Sequence, residues 1–247
     1  MAARVAVVSL ASDFGCQVQL TNLDADLLAA LGQIDLSYWQ LVSSGHLPES
    51  YDVAIVEGAV TTAEHIELLR RVRSTAATVI VIGACAVNGG IPGMAADDYE
   101  GRLGCVYGRD GALLDCAGIP PMPVDAVIDV DYCVPGCPIE PLELVAVMQR
   151  ALAGLADRAQ REPMCAQCKV AENECFYEIG VLCLGLVTRS GCGAKCVSLG
   201  RPCTGCRGMA RDANLASARQ IVSDHGLDPA RLDSALSLYN SVAEVGR

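Results

Sequence analysis

The chain has 247 residues, 52% of them hydrophobic, a formal charge of -11, and fourteen cysteines against three histidines. That length holds one sizeable α/β domain and a smaller appended one. The apolar, acidic composition excludes a disordered chain and a nucleic-acid-binding one, and no apolar run approaches the roughly 18 residues that cross a bilayer.

The first predicted strand is Val5–Leu10 (VAVVSL), behind an N-terminus with no long apolar core, twin-arginine pattern or cleavage site, so export is not expected. A helix is expected over Ala25–Leu31, and a second strand over Val53–Gly58 (VAIVEG). The helix Thr62–Val72 follows, with Thr61 or Thr62 as N-cap and Glu64 and Glu67 near its positive end. Thr78–Gly83 (TVIVIG) reads as a third strand, Ala126–Tyr132 (AVIDVDY) as a fourth, and Glu140–Leu155 as a helix behind Pro138. Short β-branched runs alternating with amphipathic helices are the pattern of βαβ units in a largely parallel sheet. In such a sheet the functional crevice lies beyond the carboxyl ends of the strands. Those ends lead here to Asp13 and Cys16, Glu57, Cys85, and Cys133 and Cys137. The charged stretch Asp157–Pro163 (DRAQREP) then marks a boundary, giving domains over residues 1–157 and 158–247.

With no export signal, fourteen cysteines point to metal rather than to disulfides, and to a cytoplasmic location. His46, His65 and His225 are far apart and distant from any cysteine pair in sequence, which favours thiolate-only ligation. Eight cysteines fall between Cys165 and Cys206: Cys165, Cys168, Cys175 and Cys183, then Cys192, Cys196, Cys203 and Cys206. Eight thiolates make two four-cysteine sites, as iron-sulfur cubanes require, with C-x2-C turns supplying two ligands at once. Paired structural zinc sites are the competing reading. The segment has little hydrophobic periodicity and is expected to fold around its metals. Gly191, Gly193, Gly200, Gly205 and Gly208 would let backbone amides approach the sulfurs. Helices return after Arg211, the last opened by Asp228 and Pro229.

A third group is scattered in sequence but shares the carboxyl edge of the sheet: Cys16, Cys85 in GACA, and Cys137 in VPGCP, where Cys followed by Pro recurs among iron-sulfur ligands. Its fourth ligand is either Asp13 or Cys133. Cys105 and Cys116 receive no ligand role. Glu57, at the end of the second strand, reads as an acid beside the next helix start.

The motifs ASDFGCQVQLTNLD, DVAIVEGAVTT, VIGACAVNGGIP, VPGCP, and GCGAKC followed by PCTGC together resemble the small subunit of cytoplasmic nickel-iron hydrogenases. The likeness is strongest to sulfhydrogenase delta subunits and to the small subunits of F420-reducing and non-reducing hydrogenases, over about residues 4–210. It implies a flavodoxin-like domain holding a proximal 4Fe-4S cluster through Cys16, Cys85 and Cys137. It further implies a distal cluster on Cys165, Cys168, Cys175 and Cys183 and a medial one on Cys192, Cys196, Cys203 and Cys206, all three of the 4Fe-4S type. Spacing alone leaves an interleaved pairing of these eight open. The resemblance also implies a hydrogenase large subunit carrying the nickel-iron centre, and a flavin or iron-sulfur subunit serving NAD(P), F420 or ferredoxin. This chain would then relay electrons and contribute no catalytic residue. One departure stands out: where the family has C-x2-C after the first strand, this chain has Asp13-x2-Cys16. Asp13 as a harder oxygen ligand, Cys133 in its place, or an incomplete cluster all remain open. The competing function is an iron-sulfur subunit of a respiratory-type complex without hydrogenase activity.

Overall fold

Strand β1 (Ala3–Ser9) pairs in parallel with β2 (Ile34–Trp39) on one side and β3 (Val53–Glu57) on the other. The structure, a computed structural model, describes residues 2–22, 32, 34–42, 44–108, 118–158, 160 and 162–242. A short β4 (Val60–Thr62) follows β3, and β5 (Thr78–Ile82) extends the sheet beyond β3. The short antiparallel partner of β4 is β6 (Gly118–Met122), and β7 (Tyr132–Val134) completes the main sheet beside β5. The order β2-β1-β3-β5-β7, all parallel, is the doubly wound flavodoxin-like arrangement 2-1-3-4-5.

Register fixes where function is placed. Ser9 pairs with Glu57, Glu57 with Ile82, and Ile82 with Val134, so four strands end along one line. The alternating residues bury both faces. Ala6, Val8, Ala54, Val56, Val79 and Val81 form one core with Leu69 and Val72, while Val5, Val7, Ile55, Ile80 and Ile82 form the other with Leu144. Helices α1 (Gly15–Thr21), α2 (Ala63–Thr75), α3 (Gly83–Asn88), α4 (Tyr99–Tyr107) and α5 (Pro141–Leu152) accompany the sheet.

Two expectations change. Ile34–Trp39 is an additional edge strand. Ala126–Tyr132 is not a strand over its length; only Tyr132–Val134 pairs. The cause is Asp131, whose carboxylate accepts from Val79 N at 2.8 Å and from Arg73 at 2.7 Å, using a side chain where a strand would use backbone. The helix expected over 25–31 lies outside the described residues.

The second part contains α6 (Met164–Val170), two 3-10 turns at Phe176–Ile179 and Leu184–Leu186, α7 (Lys195–Ser198), α8 (Leu215–Asp224) and α9 (Ala230–Asn240). Contrary to the expectation of metals alone, it has an apolar core. Met164, Leu184, Val187 and Val197 pack with Ala218 and Val222 of α8 and Leu232 of α9. The two closing helices supply what the cysteine-rich loops lack. Asn214 caps α8 through Ser217 N, and Asp228 accepts from Ala230 N at the start of α9. Among the described residues no helix is long and apolar enough to cross a membrane.

Candidate metal centre

The first thiol group is built by the line of strand ends. After β1, Asp13 Oδ1 accepts from Gly15 N at 2.8 Å and Phe14 takes a left-handed conformation, φ 61°. That turn starts α1 with Cys16 facing inward, buried at the sheet edge. Cys85 enters on α3 after β5, and Cys137 on the loop after β7. The three thiols share one electrostatic neighbourhood. Burial, then the Glu57 carboxylate, pushes the Cys16 thiol up, with further contributions from Cys137 and Cys85. Burial and the neighbouring Cys137, Asp13 and Glu57 push Cys85 up to about 11. Cys137 is raised by burial too, against a hydrogen bond from Tyr239 that favours its thiolate.

Asp13 is exposed, yet its charge is felt at Cys85, Cys137 and Glu57, so it belongs to this group in space. Cys133 does not share that neighbourhood. It packs against the opposite core, and its thiol is pushed up to about 12 by burial and then by Asp157, with Arg189 and Asp125 as its other charged neighbours. The period of a strand explains this, since Cys133 points away from the face that Tyr132 and Val134 share with Cys16. Cys105 is exposed on α4, and Cys116 lies outside the described residues.

Glu57 anchors the group. Its Oε1 accepts from Cys16 N at 3.0 Å and its Oε2 from Gln17 Nε2 at 2.5 Å. Gln17 Nε2 also donates to Ser9 Oγ at 2.6 Å, and Gln17 Oε1 accepts from Trp39 Nε1 at 2.6 Å. Burial holds the Glu57 carboxyl above its ordinary value. Gly83 was not singled out from the sequence, although it closes the TVIVIG run. At φ 85° it meets Cys16 face on, and a Cβ there would lie 2.6 Å from Cys16 Sγ.

The second and third groups lie in the cysteine-rich part. Burial and the neighbouring Cys183, Cys168 and Cys175 push the Cys165 thiol up to about 11, so these four stand together. A Cβ built on Gly185 would lie 3.3 Å from Cys165 Sγ and 3.7 Å from Cys183 Sγ. Cys192, Cys196, Cys203 and Cys206 line one small cavity of about 20 Å³, with Met164, Ala194 and Val197 on its walls. Burial pushes Cys206 up to about 11 and Cys203 up to about 12.

These groups form a chain. Cys137 N–H donates to the Cys206 thiol, and Cys203 N donates to Cys183 Sγ at 3.2 Å. The set around Cys206 therefore lies between the other two. Backbone donors also meet Cys16 from Ile139, Cys183 from Gly185, and Cys203 from Gly205. Among the described residues no three Cys, His, Asp or Glu side chains converge as tightly as one ion requires. Wider sets of four thiols with N–H donors aimed at sulfur suit an iron-sulfur cluster. Burial disfavours the free thiolates, so loading metal here must displace protons.

Comparison with known proteins adds a lineage. Residues 14–151 match the family described as NADH ubiquinone oxidoreductase, 20 Kd subunit. The chain is 32% identical to the delta subunit of sulfhydrogenase 2 of Pyrococcus furiosus, covering 90% of this chain and 92% of that one. It is 30% identical to a subunit of the vhu F420-non-reducing hydrogenase of Methanocaldococcus jannaschii, covering 100% of this chain and 94% of that one. Its fold matches the H2-activated NiFeSe hydrogenase of Dm. baculatum with a TM-score of 0.61 over 97% of this chain and 99% of that one, at 18% identity.

Proposed function

Because the chain belongs to the NADH ubiquinone oxidoreductase 20 Kd subunit family, in its branch of hydrogenase small and delta subunits, we propose that it is the electron-relay subunit of a nickel-iron hydrogenase. The observation that carries this reading is the succession of three thiol groups joined through Cys137–Cys206 and Cys203–Cys183. A zinc module has no need of sites strung in line. A relay does.

On this reading Cys16, Cys85 and Cys137, with Asp13 as the fourth ligand, hold the proximal cluster. Cys192, Cys196, Cys203 and Cys206 hold the medial one, and Cys165, Cys168, Cys175 and Cys183 the distal one. Clusters of the 4Fe-4S type would supply one-electron redox capacity between a hydrogen-activating nickel-iron centre in a large subunit and a flavin or iron-sulfur acceptor subunit. This chain's residues contribute burial, spacing and hydrogen bonds. The backbone N–H groups of Ile139, Cys137, Gly185, Cys203 and Gly205 stabilise negative charge on the sulfurs. Glu57 fixes the Cys16 amide, and its raised pKa keeps a proton-accepting group beside the proximal thiols. We divide the chain at residues 1–157 and 158–247, the first part for the proximal site and the second for the other two.

The test is low-temperature EPR of the anaerobically purified native complex, oxidised and then exposed to hydrogen as the sole reductant. Reduction of three clusters assigned to this chain is the expected result. Clusters that stay oxidised under hydrogen but accept electrons from a nicotinamide would replace this reading with a respiratory-type one, which the match over residues 14–151 would then explain.

A further inference from the structure

One side-chain amide of the third thiol group holds a loop of the middle one. Gln167 lies on α6 between Cys165 and Cys168, half-buried. Its Oε1 accepts from Gly191 N at 2.8 Å and from Gly193 N at 3.0 Å, the residues on either side of Cys192. Both partners are N–H groups that can only donate, so the amide must turn its oxygen toward them. The loop they belong to is bent sharply: φ is 123° at Gly191, 62° at Gly193 and 57° at Ala194. On its other side Ser190 O is tied to Arg207. The Cys192 loop is therefore clamped from the first group by Arg207 and from the third by Gln167.

A leucine would fill nearly the same space, so packing does not explain the amide oxygen. A ligand thiol between two glycines sits in a loop with little stiffness of its own. Beside a loaded cluster, the N–H groups of such a loop have the sulfurs as competing acceptors. An N–H given to sulfur stabilises the negative charge that reduction adds, and water admitted by a loosened loop does the same. Gln167 withholds two such donors at once and keeps the loop shut. We propose that Gln167 is a positioning residue that holds down the reduction potential of the medial cluster by keeping the two amides that flank Cys192 turned away from its sulfurs. The proposal rests on the relay reading and gives the C-x2-C turn of the distal cluster a hold over the next cluster in line.

The experiment uses the assembled complex, with iron and acid-labile sulfide counted and each cluster titrated by EPR potentiometry. Gln167→Leu should keep the iron and sulfide of the unmutated complex. It should shift the medial reduction equilibrium about tenfold toward the reduced form, a rise of about 59 mV for a one-electron couple, and leave the proximal midpoint in place. Gln167→Glu keeps an acceptor on both amides and adds charge, so the medial midpoint should fall, and by more than the distal one. A medial midpoint that stays put or falls in Gln167→Leu would overturn the proposal, as would loss of the medial signal alone, which would make the amide a structural support. If the leucine variant does not assemble, the glutamate variant decides: an unmoved or raised medial midpoint there would also overturn it. Too little iron for three clusters in the unmutated complex would instead bring down the relay reading, before any variant is compared.

Discussion

Asp13 carries two duties that a cysteine would divide. Its Oδ1 closes the turn onto Gly15 N, and its charge is felt at Cys85 and Cys137. A carboxylate has two oxygens, so one can hold the turn while the other would meet an iron of the proposed proximal cluster. Asp13→Cys should keep three clusters, because a thiolate is a competent ligand, while the proximal EPR signal and midpoint move with the change from oxygen to sulfur. Losing the turn bond should cost about 1 kcal/mol. An unchanged proximal spectrum and midpoint would exclude Asp13 as a ligand. The proximal candidates were legible from sequence because each closely follows a β-branched run. Cys133 was a candidate for the same reason, and only strand alternation separates it: it packs, partly buried, against the core that holds Val79 and Val81 on the other face. Glu57 was readable as a strand end, but its hold on Cys16 N spans 41 residues and has no local signal.

At the scale of elements, legibility followed burial. β3 and β5 are buried on nearly all positions and read as apolar runs, whereas β2 is an edge strand in which Trp39 alone is fully buried. Its IDLSYW sequence has no clean period and so gives no local strand signal. Helix α2 shows the opposite case, since its cap could be narrowed to two residues from sequence. Thr62 takes the role, accepting from His65 N at 3.3 Å, and Thr61 N instead donates to His65 Nδ1. Thr62→Ala should cost about 1 kcal/mol. Native-state hydrogen exchange should show the first-turn amides of α2 opening about fivefold faster, with β5 unaffected. Equal protection in both proteins would mean that the His65 contact, not Thr62, secures the helix start.

At the scale of the molecule, a buried cation joins the two parts, beside the more exposed Lys195–Glu140 pair at 3.0 Å. Arg207, directly after Cys206, is buried to 2% exposure and donates to Glu143 of α5 through both terminal nitrogens, at 2.8 and 2.7 Å. It also donates to Pro135 O at 2.7 Å, two residues before Cys137, and to Ser190 O at 2.8 Å, two before Cys192. One guanidinium therefore fixes the loops of the first and middle thiol groups to each other. From sequence it was an ordinary arginine after a C-x2-C turn, because its partner lies 64 residues away. Arg207→Met would leave the Glu143 carboxylate without its partner, a loss of about 3–5 kcal/mol that falls on the seam between the two parts. Dithionite should then still reduce every cluster, while hydrogen reduces the proximal one promptly and the other two slowly, since the loops that set their separation are no longer tied. Adding Glu143→Met should restore most of the stability, because an apolar pair can replace a buried ion pair. Hydrogen exchange at the Pro135–Cys137 loop measures the seam directly: fast exchange in the single variant and near-native protection in the double one is the expected pattern. Native protection in both would show that the closing helices, rather than Arg207, hold the thiol groups in line.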